Sequence, residues 1–365
     1  MTAGPAAPRP SATAPGGNTD GRPAVAHPRR DRVAGVSEEE RMPKAVRVSS
    51  TGGPEVLELV EVDQPRPGAG ELLVEVGAAG VNYIDTYHRS GLYPLPLPFG
   101  LGLEGAGRVS AVGPEVTGFS VGDRVAWKQA PGSYAEQVVV RAAEAVAVPD
   151  GVSDEVAAAI MLQGMTAHYL VASTYPVQAG DTILVHAAAG GVGLLLIQLA
   201  KARGARVIGT VSTEEKERLA RQAGADEVIR YTEVDFTEQV RRLTDGQGVA
   251  VVYDGVGRTT FDGSLASLRP RGTLVLFGAS SGPVPPVDPQ RLNAGGSLFL
   301  TRPTLAHYAA DRAELDWRAK ELFDAVADGS LSVRVGGRYP LSEARRAHED
   351  LEGRRTTGKL VLLPH

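Results

Sequence analysis

A strand-like run, Asp181–His186, breaks directly into Ala187-Ala188-Ala189-Gly190-Gly191-Val192-Gly193 and then into an apolar helix. Few folds put a glycine-rich turn between a parallel strand and a helix N-terminus; the dinucleotide-binding βαβ unit is the commonest. In that pattern the key positions fall here on Ala188, Gly190 and Gly193, so alanine replaces the first glycine. Gly190 would let the backbone approach a pyrophosphate, and Gly193 would let the helix seat closely on the strand. Gly191 and Val192 lie between them, at the helix start where free N–H groups face an anion. A glycine string alone is weak evidence. The strand before it, the helix after it and a second strand at the right distance make it specific. From Asp181 to Phe277 the pattern alternates strand and helix with short connections, which predicts a parallel sheet covered on both faces.

The second strand decides which dinucleotide is favoured. An NAD site places an acid near its tip, about 20 residues past the glycines, for the ribose hydroxyls. This chain has Gly209-Thr210-Val211-Ser212-Thr213 there, followed by Lys216. A lysine and hydroxyls suit a 2′-phosphate, so NADPH is favoured over NADH. A purely structural alternative stays open: Ser212 and Glu215 have capping-box spacing, while Glu214/Arg218 and Glu217/Arg221 have i,i+4 pair spacing.

Upstream, Met42 to about Leu162 reads as short apolar strands broken by glycine and proline, which predicts an antiparallel barrel-like domain. Ser153 is a plausible N-cap for a helix over Asp154–Ala172 leading to the next domain, with a boundary near Gly164. Residues 1–41 are rich in Ala, Pro, Gly and Arg and lack aromatic residues or apolar periodicity, so they are expected to be disordered. Met42, which opens the first strand pattern, is an alternative start of translation. The expected organisation is a tail (1–41), a barrel-like domain (42–164), a nucleotide-binding domain (165–303) and a C-terminal segment (304–365) returning to the first domain.

Composition narrows the function. There are no cysteines, which excludes disulfides, thiolate nucleophiles, iron–sulfur clusters and cysteine-liganded zinc. A net charge of −5 gives no global cationic field for nucleic acid or anionic lipid. No apolar run in the sequence pattern approaches the roughly 18 residues of a membrane span. A cytoplasmic location is the default expectation.

Several runs together then resemble a known family: Gly80-Val81-Asn82-Tyr83-Ile84-Asp85-Thr86-Tyr87, Arg89-Ser90-Gly91-Leu92-Tyr93, Gly102-Leu103-Glu104-Gly105-Ala106-Gly107, His186 through Gly193, Tyr253-Asp254-Gly255-Val256-Gly257 and Phe277-Gly278-Ala279-Ser280-Ser281-Gly282. From Met42 onward the chain resembles the zinc-independent, zeta-crystallin-like quinone oxidoreductases of the medium-chain dehydrogenase/reductase superfamily. The resemblance implies an α/β protein: a GroES-like antiparallel β-barrel domain plus a doubly wound parallel-sheet Rossmann domain. It also implies NADPH as cofactor, an electron-poor quinone as hydride acceptor, and no metal. Zinc-dependent relatives carry Gly-His-Glu where this chain has Gly102-Leu103-Glu104, and Leu103 cannot bind a metal. By the same resemblance Asn82, Tyr87 and Tyr93 line the nicotinamide and quinone cleft. Lys216, Tyr231 and Arg354 match positions that contact the adenosine phosphate, and Phe277 and Ser280 pass beside the cofactor. Gln163 replaces a lysine found in some relatives. Ser297–Thr301 resembles the edge strand of a homodimer, and no nucleic-acid or membrane partner is expected. His186, at a strand end, is read as structural.

Alternatives remain. The same hydride could reduce an activated C=C bond in an enal or enone, with Tyr87 recruited for the proton. The chain could bind NADPH without turnover, as a structural or RNA-binding protein, or use the glycine turn for S-adenosylmethionine as a methyltransferase.

Overall fold

The structure, a computed structural model, describes residues 41–364. The expectations placed on residues 1–40 lie outside the described residues. Glu71–Val81 is the spine of the first half. It pairs antiparallel with Glu104–Val112 on one side and with Gln137–Arg141 and the C-terminal strand Lys359–Leu363 along its other edge. Arg124–Trp127 and Ala145–Ala147 continue this sheet, and Val335–Pro340 closes its other end by a parallel pairing with the C-terminal strand. A smaller sheet joins Leu57–Glu61, Lys44–Val48 and Phe99–Gly100. The segment carrying Tyr83 and Tyr87 is the helix Tyr83–Ser90.

The second sheet has six parallel strands: Glu227–Arg230, Arg206–Val211, Thr182–Val185, Val249–Asp254, Leu268–Leu276 and Phe299–Thr301. All six residues of Val249–Asp254 are buried, as expected of a central strand with helices on both faces. The order places Thr182–Val185 beside Val249–Asp254, at the switch point where doubly wound sheets open a crevice.

One helix joins the two halves. Asp154–Tyr169 starts at Ser153, whose hydroxyl accepts from the Val156 N–H at 3.3 Å, and passes into a π-helical turn at Leu170–Thr174. This corrects the expectation drawn from apolar runs: Asp154–Thr174 spans 21 residues, and its most apolar 18-residue window has a mean hydropathy of 1.3, long and apolar enough to cross a bilayer. It is nevertheless a core helix, because 72% of its most apolar window is buried in the protein. Ile160, Met161 and Met165 share one apolar core with Ala78 and Ala106 of the first sheet and Ile183 and Val185 of the second. Gly164, expected near a boundary, sits mid-helix, where an added Cβ would meet Ile160 and Leu322.

Candidate active site

A single large cleft of about 1180 Å³ runs along the switch point, and most of the expected site residues line it. Its floor at one end is the glycine turn. Ala187 adopts φ +50°, a left-handed backbone that a non-glycine residue enters at some cost, and the chain then reaches Gly190, the N-cap of the helix Gly191–Ala202. An added Cβ at Gly190 would meet only the Ala187 carbonyl, at 3.1 Å, so this residue leaves the backbone open to a ligand. At Gly193 the Cβ would run into the Ala187 and Ala188 carbonyls, so its absence lets the helix seat on the turn. Ala188 departs from expectation. It is fully buried beneath the turn, its N–H bonds the Thr210 carbonyl at 3.1 Å, and it does not line the cleft. A methyl replaces the first glycine because this position packs toward Gly209 and faces no ligand.

Ser212 lines the cleft and is not the helix cap. Thr213 caps Glu214–Gln222 instead, its hydroxyl accepting from the Lys216 N–H at 3.3 Å. Of the two i,i+4 pairs expected on that helix, Glu217–Arg221 forms, at 3.0 Å. The Lys216 ammonium donates to the Arg354 carbonyl at 2.7 Å, and Arg354 itself takes φ +56°. Burial and then the neighbouring Arg354 charge push the Lys216 pKa down. Arg355 is held by Asp350 at 2.8 Å, whereas no carboxylate pairs with Arg354 among the described residues. Two cations thus crowd one end of the cleft, and an anion there would relieve their repulsion. Tyr231, 42% exposed, and Ser280 stand on the wall, with Phe277 beside Gly255.

The opposite end carries Asn82, Tyr87 and Tyr93. Asn82 starts the helix Tyr83–Ser90, with its N–H donating to Asp85 Oδ2 at 2.8 Å. Its side chain is gripped from three sides. Nδ2 donates to Glu104 at 2.8 Å, while Oδ1 accepts from the Lys359 ammonium at 2.7 Å and from Gln163 Nε2 at 3.1 Å. Lys359 and Glu104 form an ion pair with both side chains almost wholly buried. Glu104 also accepts from the Leu162 N–H, so its carboxylate is fully engaged. Lys359 was missed in sequence; a lone lysine opening the apolar strand Lys-Leu-Val-Leu-Leu was the available signal. The Gln163 Oε1 atom is buried with no hydrogen-bond partner among the described residues, pressed against Gly191.

The Tyr87 and Tyr93 rings meet edge-to-face at 5.2 Å. Burial pushes the Tyr87 hydroxyl pKa up to about 12, so at neutral pH it is a hydrogen-bond donor. Behind this wall Asp85 accepts from the Tyr134 hydroxyl at 2.8 Å, and that hydroxyl lies 3.3 Å from His348 Nε2. Burial raises Asp85 to about 7 and lowers His348 to about 3, the latter helped by Arg89. His186 has both ring nitrogens engaged, by Thr210 Oγ1 at 2.8 Å and Ser264 Oγ at 3.0 Å, which fits a structural role.

Comparison with known proteins bears directly on this arrangement. The family model described as "Alcohol dehydrogenase GroES-like domain" matches residues 68–150, and the one described as "Zinc-binding dehydrogenase" matches residues 191–317. The donor set does not fit the second name: no three His, Cys, Asp or Glu residues converge among the described residues, and Glu104 is committed to Lys359. A quinone oxidoreductase of Pseudomonas aeruginosa is 51% identical over 88% of this chain and 100% of its own length. A 2-haloacrylate reductase of a Burkholderia species is 45% identical over 88% of this chain and 99% of its own. A mycobacterial structure complexed with NADPH is 59% identical with a TM-score of 0.86, covering 88% of this chain and all of that one. The GroES-like half, the Rossmann half and the cleft between them therefore carry one conclusion: the chain belongs to the zinc-independent quinone oxidoreductases of the medium-chain dehydrogenase/reductase superfamily.

Proposed function

We propose that this chain is an NADPH:quinone oxidoreductase. One observation carries the reading: a single cleft holds an open glycine turn with two unneutralised cations at one end and a tyrosine-lined chamber with a clamped amide at the other. Gly190, Gly191, Val192 and Gly193 would hold the pyrophosphate against the helix N-terminus, while Ser212, Lys216, Tyr231 and Arg354 would hold the adenosine 2′-phosphate. Phe277 and Ser280 would flank the cofactor.

When bound, NADPH supplies the hydride. Asn82 would position the reacting faces, since its amide cannot turn without breaking its bonds to Glu104 and Lys359. Tyr87 and Tyr93 would cover the acceptor and keep water from it. A quinone that gains a hydride becomes a hydroquinone anion, which takes one proton from solvent and needs no Lewis acid. Consumption of NADPH under anaerobic conditions with 1,4-benzoquinone tests this; binding of NADPH without any turnover would refute it.

A second reading, reduction of an activated C=C bond, is favoured by the 2-haloacrylate reductase relative and by the protonated Tyr87 at the chamber wall. Turnover of an enone with none of benzoquinone would select it. The reading also includes a homodimer formed through the sheet edge Phe299–Thr301, where Phe299 is 61% exposed, and a cytoplasmic location, since NADPH is an intracellular reductant.

A further inference from the structure

Arg302 stands on the cleft wall just past the edge strand Phe299–Thr301. The other charged groups of that wall are accounted for. Lys128 is bonded to Glu144 at 2.7 Å, Lys216 donates to the Arg354 carbonyl, and Arg354 belongs with Lys216 at the phosphate end. Asp235 is the one carboxylate among the described lining residues, and it caps its own helix by accepting from the Glu238 N–H at 2.9 Å. Arg302 Nη1 donates to the carbonyl of its neighbour Pro303 at 3.3 Å, and no carboxylate pairs with it among the described residues. Arg302 lines the same cleft as Tyr87 and Tyr169, is exposed to solvent, and its charge counts among the causes that lower the pKa of both hydroxyls.

We propose that Arg302 is a specificity-determining residue that selects acceptors carrying an anionic substituent, a carboxylate or sulfonate, next to the electron-poor ring or double bond. A planar guanidinium matches such an oxyanion with two parallel hydrogen bonds, a geometry an ammonium cannot offer. A neutral quinone would leave this cation unused.

The inference rests on the quinone-reductase reading for its kinetic arm only. The acceptors are 1,4-naphthoquinone and 1,4-naphthoquinone-2-sulfonate, compared for the full-length enzyme, Arg302→Met and Arg302→Lys at saturating NADPH. In Arg302→Met, kcat/KM for the sulfonate is expected to fall about tenfold further than for the neutral quinone, chiefly through KM. Arg302→Lys recovers part of the difference, and the effect shrinks as salt is raised. Equal losses for both acceptors, or none for either, overturn the proposal. A second arm needs no turnover: 2-naphthalenesulfonate titrated into the NADP⁺-saturated protein binds about tenfold more weakly to Arg302→Met. Were no quinone reduced at all, the functional reading would fail while this titration still decided the role of Arg302. Unchanged sulfonate affinity there sinks the inference.

Discussion

At the phosphate end of the cleft, the groups facing inward are backbone amides of the glycine turn and two cations, Lys216 and Arg354, with no carboxylate paired to them among the described residues. At the acceptor end the arrangement is reversed. Asn82 is held by a buried Lys359–Glu104 pair whose charges already satisfy each other. The first end is a site waiting for an anion; the second is a finished brace. Charge left unpaired at a surface marks where a ligand will bind, whereas charge paired in the core marks where a side chain must not move.

The comparison can be broken most forcefully at Lys359. Lys359→Met leaves the Glu104 carboxylate buried and uncompensated, so a loss of about 3–5 kcal/mol in urea-unfolding stability is expected. The double variant Lys359→Met/Glu104→Gln should recover much of it. A single-variant loss near zero would mean that the brace is not structural.

Lys216→Ala probes the other end. Removing a charge-assisted contact worth about 1.5–3 kcal/mol should weaken NADPH binding roughly 10–100-fold in calorimetric titration, with NADH little changed. Equal losses for both nucleotides would contradict the phosphate assignment.

The layer behind Asn82 gives a pH signature. Asp85, raised to about 7 in the folded state, keeps its proton between about pH 4 and 7 while the unfolded chain releases it, so its contribution falls as pH rises through that window. His348, lowered to about 3, stays neutral while the unfolded chain protonates below about 6.5, so its contribution rises with pH between about 3 and 6.5. The two slopes oppose each other where they overlap. Asp85→Asn removes one of them, and unfolding free energy in the variant should rise with pH more steeply than in the parent, by up to about 1.4 kcal/mol per unit between pH 4 and 6.5. Parallel profiles for the two proteins would rule out the assignment. The smallest effect is expected of Ser212→Ala, about two- to tenfold in NADPH affinity, the measure of one hydroxyl contact.

Much of this was legible because it is local. The strand–turn–helix of Asp181–Ala202, the Ser153 cap and the missing acid at Ser212 each lie within one stretch of chain whose chemistry can be read in order. Ser212 shows the limit. Capping-box spacing suited it, yet Thr213 took the cap, because a one-residue shift in where the helix begins leaves both hydroxyls within local reach. The helix Tyr83–Ser90 has a polar, tyrosine-rich composition; burial of Asp85 and Arg89 against Tyr134, His348 and Glu352, far away in the chain, overrides its weak propensity.

From the sequence alone came the parallel sheet, the anion-binding turn and the choice of NADPH, because periodicity and turn chemistry act over a few residues. The grip on Asn82, by contrast, joins residues 104, 163 and 359 and exists only once the last strand returns to pair with Glu71–Val81. Which cation is paired and which is left open depends on groups hundreds of residues apart, and only the folded chain brings them within hydrogen-bond distance.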